Sequence, residues 1–232
     1  MLSLKMGYRA LVVGASGGIG GAVAATLRDD ARCASVEVLS RQHDADFDLT
    51  DEASIERASR RIAEVGGLDL VFDATGALTI DGVGPEKTIR SLNPQAMAKQ
   101  FALNAIGPAL LFKHFLPLLP RQERAIAATL SARVGSIGDN RLGGWISYRA
   151  SKAALNQIVR TAAIEAQRTH PQSVVVALHP GTVETQLSER FAAGHARISP
   201  QQSAEMMLDV LDRLEPAQSG GFFAYDGSAI EW

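Results

Sequence analysis

The stretch Arg9-Ala10-Leu11-Val12-Val13-Gly14-Ala15-Ser16-Gly17-Gly18-Ile19-Gly20 runs from an apolar segment straight into a glycine turn. Residues 9–13 read as a short buried strand, and a helical pattern over 18–28 begins inside the turn. Glycines at 14, 18 and 20 permit a tight turn and a close backbone approach to a pyrophosphate, which then sits at the helix N-terminus. Strand, turn and helix in that order predict a parallel sheet wound with helices and a dinucleotide at its carboxyl edge.

The rest of the chain repeats the alternation. Apolar runs over 35–39, 47–49, 68–73, 125–130, 173–178 and 221–225 read as strands. Helical periodicity covers 51–65, 94–116, 145–168 and 200–214. Short apolar strands separated by helices argue for a parallel sheet covered on both faces. The expectation is one doubly wound α/β domain of Rossmann type over residues 1–232, with a seven-stranded parallel sheet. Residues 185–199, with Gly194 and mixed polarity, read as a loop.

Composition narrows the function. The chain has 232 residues, 46% apolar and 21% charged, and its 23 basic and 25 acidic side chains leave a net charge of −2. The length suits a single large core. Basic residues form no run, which argues against a nucleic-acid partner. Cys33 is the only cysteine, so a reducing, cytoplasmic compartment is expected. The glycines at 14, 17, 18, 20 and 21 break the apolar N-terminal stretch, which reads as neither a signal peptide nor a membrane span. The five histidines show no metal-ligand spacing, and no metal is expected.

Tyr148 and Lys152 stand four apart in Tyr148-Arg149-Ala150-Ser151-Lys152, which stacks a phenol and an ammonium on one helix face. A fixed positive charge favours phenolate and is expected to lower the tyrosine pKa toward working pH. Tyr148 then suits a general acid that protonates a carbonyl oxygen. Beyond the second strand, Ser40 and Arg41 stand where an acid would bind ribose hydroxyls; a basic residue there favours a 2′-phosphate and hence NADP (NADPH), with NAD the alternative. A solvated surface arginine is the plainer reading of Arg41.

Taken together, these residues resemble the short-chain dehydrogenase/reductase family over nearly the whole chain. The turn has that family's G-x-x-x-G-x-G form, and residues 131–156 look most like its sniffer-like and C-factor-like carbonyl reductase branch. The resemblance implies NADPH-dependent hydride transfer to or from a small-molecule carbonyl or alcohol, and a homodimer or homotetramer. It implies that Gly14, Ser16, Gly18, Ile19 and Gly20 bind the pyrophosphate side of the cofactor and that Asp48 and Leu49 flank the adenine. Ala74 and Gly76, in Asp73-Ala74-Thr75-Gly76, stand in for the family's Asn-Asn-Ala-Gly segment. Pro180, Gly181 and Thr182 match the segment that holds the carboxamide. The resemblance further implies that Tyr148 and Lys152 touch the nicotinamide ribose, that Asn104 anchors a proton-relay water, and that residues 185–199 form the substrate lid.

One position departs from the pattern. The hydroxyl that polarises the carbonyl falls at Ala132, which leaves neighbouring Ser131 as the expected donor and Ser136 as its rival. Trp145 either walls the pocket or anchors packing. A nucleotide-binding sensor that uses the same fold without turnover is the alternative to an enzyme.

Overall fold

The computed structural model describes residues 1–185 and 197–232. Six parallel strands form one sheet: β1 (Tyr8–Val13), β2 (Cys33–Leu39), β3 (Leu70–Asp73), β4 (Ala125–Leu130), β5 (Ser173–His179) and β6 (Phe222–Ala224). Their order is β2-β1-β3-β4-β5-β6. Helices α1 (Gly18–Asp29) and α6 (Pro200–Arg213) cover one face; α2 (Glu52–Val65), α4 (Gly107–Phe115) and α5 (Ile146–Ala166) cover the other. Alternation along each strand divides the core accordingly. In β1, Leu11 and Val13 pack toward α2 and α5, while Ala10 and Val12 pack toward α1 and α6. The strands from β3 onward build away from β1 on the side opposite β2, so the order reverses between β1 and β3.

The expected seventh strand at 47–49 is absent among the described residues, which corrects the strand count to six. Phe47 and Leu49 are buried and Asp48 is exposed, which is why the segment mimics a strand. Its backbone is taken by local partners instead. The Asp48 amide donates to Ser54 Oγ at 3.0 Å, and Asp48 Oδ1 accepts from the Thr50 amide and hydroxyl, both at 2.8 Å. Asp51 then accepts from the Ala53 amide as N-cap of α2. Side-chain bonds of this kind compete with a sheet ladder.

The helix expected over 94–116 is broken in three: α3 (Pro94–Phe101), a π-helical turn (Ala102–Ile106) and α4. Pro108 has no amide proton to continue the ladder, and the Gly107 amide reaches back five residues to the Ala102 carbonyl oxygen. The run Pro94–Leu118 is apolar and long enough to pass for a membrane span. Here it packs on α2 and α5 and buries Gln100 and Asn104.

Candidate active site

The carboxyl ends of β1 and β3 meet where the strand order reverses, the place where doubly wound sheets bind ligands. Gly14 leaves β1 at φ +83°, and a Cβ there would stand 3.0 Å from the carbonyl carbon and oxygen of Ala74. Gly20 is more confined still. Its Cβ would lie 2.3 Å from the Gly14 carbonyl oxygen. Helix α1 has Gly17 as its N-cap residue and no side-chain cap, beside exposed Ser16 and Gly18. Its first amides therefore remain open to an anion at the positive end of the helix. Close approach and uncapped amides fit the pyrophosphate of a nicotinamide dinucleotide. Ile19 is half-buried and turns into the α1–α6 core.

At the end of β2 the two expected ribose-side residues part company. Arg41 is exposed. The Ser40 hydroxyl is buried in its own turn, 2.7 Å from His43 Nδ1 and 3.3 Å from the amides of Gln42 and His43. Two bonds from Thr50 hold the Asp48 carboxyl below its usual range, helped by the Arg41 charge. Leu49 is buried against α4, where a Cβ on Gly107 would come within 2.5 Å of it. After β5, the Pro180 carbonyl accepts from Ser203 Oγ at 2.7 Å and the Thr182 carbonyl from the Ile198 amide at 3.1 Å. Gly181, at φ +84°, lets the chain pass the Tyr225 ring, which a Cβ would meet at 2.9 Å. Of the expected lid, residues 186–196 lie outside the described residues.

Tyr148 and Lys152 do fall one turn apart on α5, both buried. Tyr148 lines a cavity of about 200 Å³ together with Ile80, Val83, Glu86, Gln100 and Ser147. The Trp145 ring meets it edge-on, with centroids 6.4 Å apart. Gly76, at φ +141°, lies against the lysine and the asparagine: a Cβ there would stand 3.1 Å from Lys152 Nζ and 3.2 Å from Asn104 Oδ1. Asn104 sits in the π-helical turn and clamps the chain at Ala77, its Oδ1 accepting from the Ala77 amide and its Nδ2 donating to the Ala77 carbonyl, both 2.9 Å. Such turns recur at functional sites.

The electrostatics differ from the expectation. Burial alone pushes the Tyr148 phenol up to about 12. Burial also pushes Lys152 down to about 8, against the opposing charge of Asp73. The lysine does not lower the tyrosine pKa in the chain by itself. Its ammonium donates to the Leu130 carbonyl oxygen at 2.9 Å, and desolvation decides the phenol.

The two candidate serines are both buried and point to different partners. Ser131 Oγ donates to Asn156 Oδ1 at 2.6 Å, four residues beyond Lys152 on α5. Ser136 Oγ accepts from the Asp139 amide at 3.1 Å. Neither is bonded to Tyr148.

Sequence reading missed Glu86. Its carboxylate accepts from the Ser147 amide at 3.2 Å and from the Ser147 hydroxyl, and its carbonyl accepts from the Trp145 amide at 2.5 Å. A loop between β3 and α3 thereby clips the start of the tyrosine helix. The one available signal was negative: no side chain at 144–146 can accept from the first amides of a helix, so α5 needed an acceptor from elsewhere.

Comparison with known proteins identifies the family. Residues 8–196 match the family model for short chain dehydrogenases. A 1-hydroxy-2-glutathionyl-2-methyl-3-butene dehydrogenase from Rhodococcus sp. (strain AD45) is 34% identical, over 96% of this chain and 98% of its own. C-signal from Myxococcus xanthus is 37% identical over 59% of this chain and 78% of its own. The solved structure of an NADPH-bound carbonyl reductase from chicken fatty liver superposes with a TM-score of 0.85 at 27% identity, covering 99% of this chain and 95% of that one. With its glycine turn, its Tyr148–Lys152 helix and these relatives, the chain belongs to the short-chain dehydrogenase/reductase family.

Proposed function

We propose that this oxidoreductase is a carbonyl reductase that prefers NADPH and reduces a compact carbonyl group held against Tyr148. The observation that carries the reading is the placement of Tyr148: buried, one turn from Lys152, with its side chain on the 200 Å³ cavity. A phenol held up to about 12 carries its proton at neutral pH, the form that a proton donor needs. The names of both the Rhodococcus and the chicken relative place their chemistry at an alcohol or carbonyl centre, which supports the same reaction here.

The residues would divide the work as follows. The amides at 18–20, with Gly14 and Gly76, would hold the dinucleotide, and Arg41 would meet a 2′-phosphate. Bound nicotinamide supplies the hydride. Tyr148 gives its proton to the carbonyl oxygen as the carbonyl carbon takes that hydride. Lys152, an ammonium at neutral pH, then stands beside the oxygen-bearing phenolate and stabilises it, while Asn104 holds the adjacent chain at Ala77 in place. Ser131 would polarise the carbonyl. Asn156 Nδ2 is buried with no partner among the described residues, and turning that amide over would let it donate to Ser131 Oγ and release the hydroxyl proton for substrate.

The test is a panel of aldehydes, ketones, quinones and thioether-linked alcohols followed by NADPH absorbance, repeated with Tyr148→Phe. Turnover should fall by ~10²–10⁴-fold, as for loss of a general acid, with NADPH affinity nearly unchanged. Activity within a few-fold of the unaltered chain removes Tyr148 from the role. NADPH binding without turnover of any compound favours the sensor reading, for which Ala132 in the serine position is the best support.

A further inference from the structure

We propose that Asp73 is a positioning residue for the catalytic pair: its buried carboxylate holds Lys152 as the ammonium that Tyr148 needs. The proposal rests on the roles given to Tyr148 and Lys152 above.

Asp73 ends β3 and is 2% exposed. It pairs in register with Thr129 of β4. Val71 and Ala127, two residues earlier on the same strands, pack toward the α4–α5 layer, so Asp73 and Thr129 face that layer too. Asp73 Oδ1 accepts from the Thr75 amide at 2.9 Å and the Thr75 hydroxyl at 2.6 Å; Oδ2 accepts from Thr129 Oγ1 at 2.6 Å. Burial on balance raises the proton affinity of Asp73, and the three donors that converge on its carboxylate oppose that and favour the ionised form. Lys152 reaches the same place from α5, bonded to the carbonyl of Leu130, the residue after Thr129.

A sealed ammonium and a sealed carboxylate each carry a large desolvation penalty unless they face each other. Here the influence is mutual. Asp73 raises the proton affinity of Lys152, and Lys152 lowers that of Asp73, each against its own burial. Among the described residues, Asp73 from β3 is the one carboxylate whose charge acts on Lys152. Tyr148 stands one turn away on the same helix.

Hydrogen bonding alone does not require the charge. An asparagine would accept from Thr75 and donate to Thr129 equally well, and the family resemblance puts asparagine at this position. That makes Asp73→Asn a foldable variant and isolates the charge as the thing tested. The alkaline limb of its kcat/KM profile should move down by about one pH unit, roughly tenfold in rate above the limb, with little change at pH 6. A second readout needs neither the variant nor turnover. The ¹³Cε resonance of Lys152 in labelled unaltered protein, assigned by its loss in Lys152→Met, should show an acid inflection as Asp73 takes its proton, besides its own titration. An unmoved alkaline limb, or a lysine resonance with no acid inflection, overturns the proposal. An acid inflection in a protein that turns over no carbonyl compound keeps the charge coupling of Asp73 to Lys152 and removes the catalytic reading instead.

Discussion

Replacing Glu86 by alanine should loosen the helix that carries Tyr148, because α5 has no cap of its own. Its N-cap residue, Trp145, is held at φ +53° and ψ +36° and makes no side-chain cap. A non-glycine residue in that region stores of order 1–3 kcal/mol of strain unless its surroundings hold it. Glu86 provides the hold. Its carboxylate takes the Ser147 amide and hydroxyl, and its backbone carbonyl takes the Trp145 amide. Burial pushes the Glu86 carboxyl up, but the bonds from Ser147 outweigh it and keep the group below the usual range. The stabilisation is therefore complete at neutral pH and is lost as pH falls through that depressed value.

Losing a cap costs about 1 kcal/mol, and losing a negative charge at a helix N-terminus costs about 0.5–1 more. A total of about 2 kcal/mol corresponds to roughly 4–8 °C in melting temperature for a chain of this size. Glu86→Gln keeps the acceptor and should lose less than half as much. Thermal denaturation followed by circular dichroism measures both. Since Ser147 immediately precedes Tyr148, kcat should fall by roughly tenfold in Glu86→Ala through misplacement of the phenol, while NADPH affinity stays put. A melting temperature indistinguishable from that of the unaltered chain, or equal losses for Gln and Ala, would refute the capping argument.

Other substitutions separate the remaining roles. Arg41→Asp should weaken NADPH by one to two decades, a charged contact of about 1.5–3 kcal/mol, and leave NADH nearly untouched in a fluorescence titration; equal effects make Arg41 a surface residue. Ser131→Ala should lower kcat by roughly 10²-fold, as for loss of one oxyanion donor, with Ser136→Ala minor; the reverse result moves the role to Ser136. His179 is held down to about 4, first by burial and then by Arg133. The unfolded chain therefore gains a proton that the native chain refuses as pH falls from 6.5 to 4, and stability declines across that window. After allowance for partial solvent screening the effect is about 2 kcal/mol, and His179→Gln should flatten it in urea titrations.

What the sequence made legible was local. The run 9–20 reads as strand, turn and helix because its tightest glycine answers to a near neighbour: a Cβ on Gly20 would strike Gly14 itself. The spacing of Tyr148 and Lys152 is likewise a property of one helix. Misreadings arose where two local signals competed. Phe47 and Leu49 alternate with Asp48 as a strand would, yet Asp48, Thr50, Asp51 and Ser54 offer hydrogen bonds that close a turn sooner than a ladder can form. Residues 94–116 keep helical periodicity through Pro108, and nothing in periodicity distinguishes a four-residue from a five-residue hydrogen bond. The difference matters, because Asn104 lies inside that wider turn, from which its amide spans both polar groups of Ala77.

The parts of the site that escaped the sequence are long-range and electrostatic. Ser147 and Glu86 are 61 residues apart, and Asp73 and Thr129 are 56 apart; no spacing rule connects either pair. The sign of the tyrosine shift escaped for a related reason. An ammonium four residues away on a helix lowers a phenol's pKa only if water or geometry lets the charge act on it, whereas burial acts regardless. In this chain the lysine is turned to the Leu130 carbonyl and answered by Asp73, so its charge is balanced before it reaches Tyr148. The phenol thus keeps its proton until substrate arrives. On the proposed mechanism, negative charge developing on the phenolate during proton donation would then be the event that engages Lys152, which would place the effect of the lysine on the transition state rather than on the resting protein.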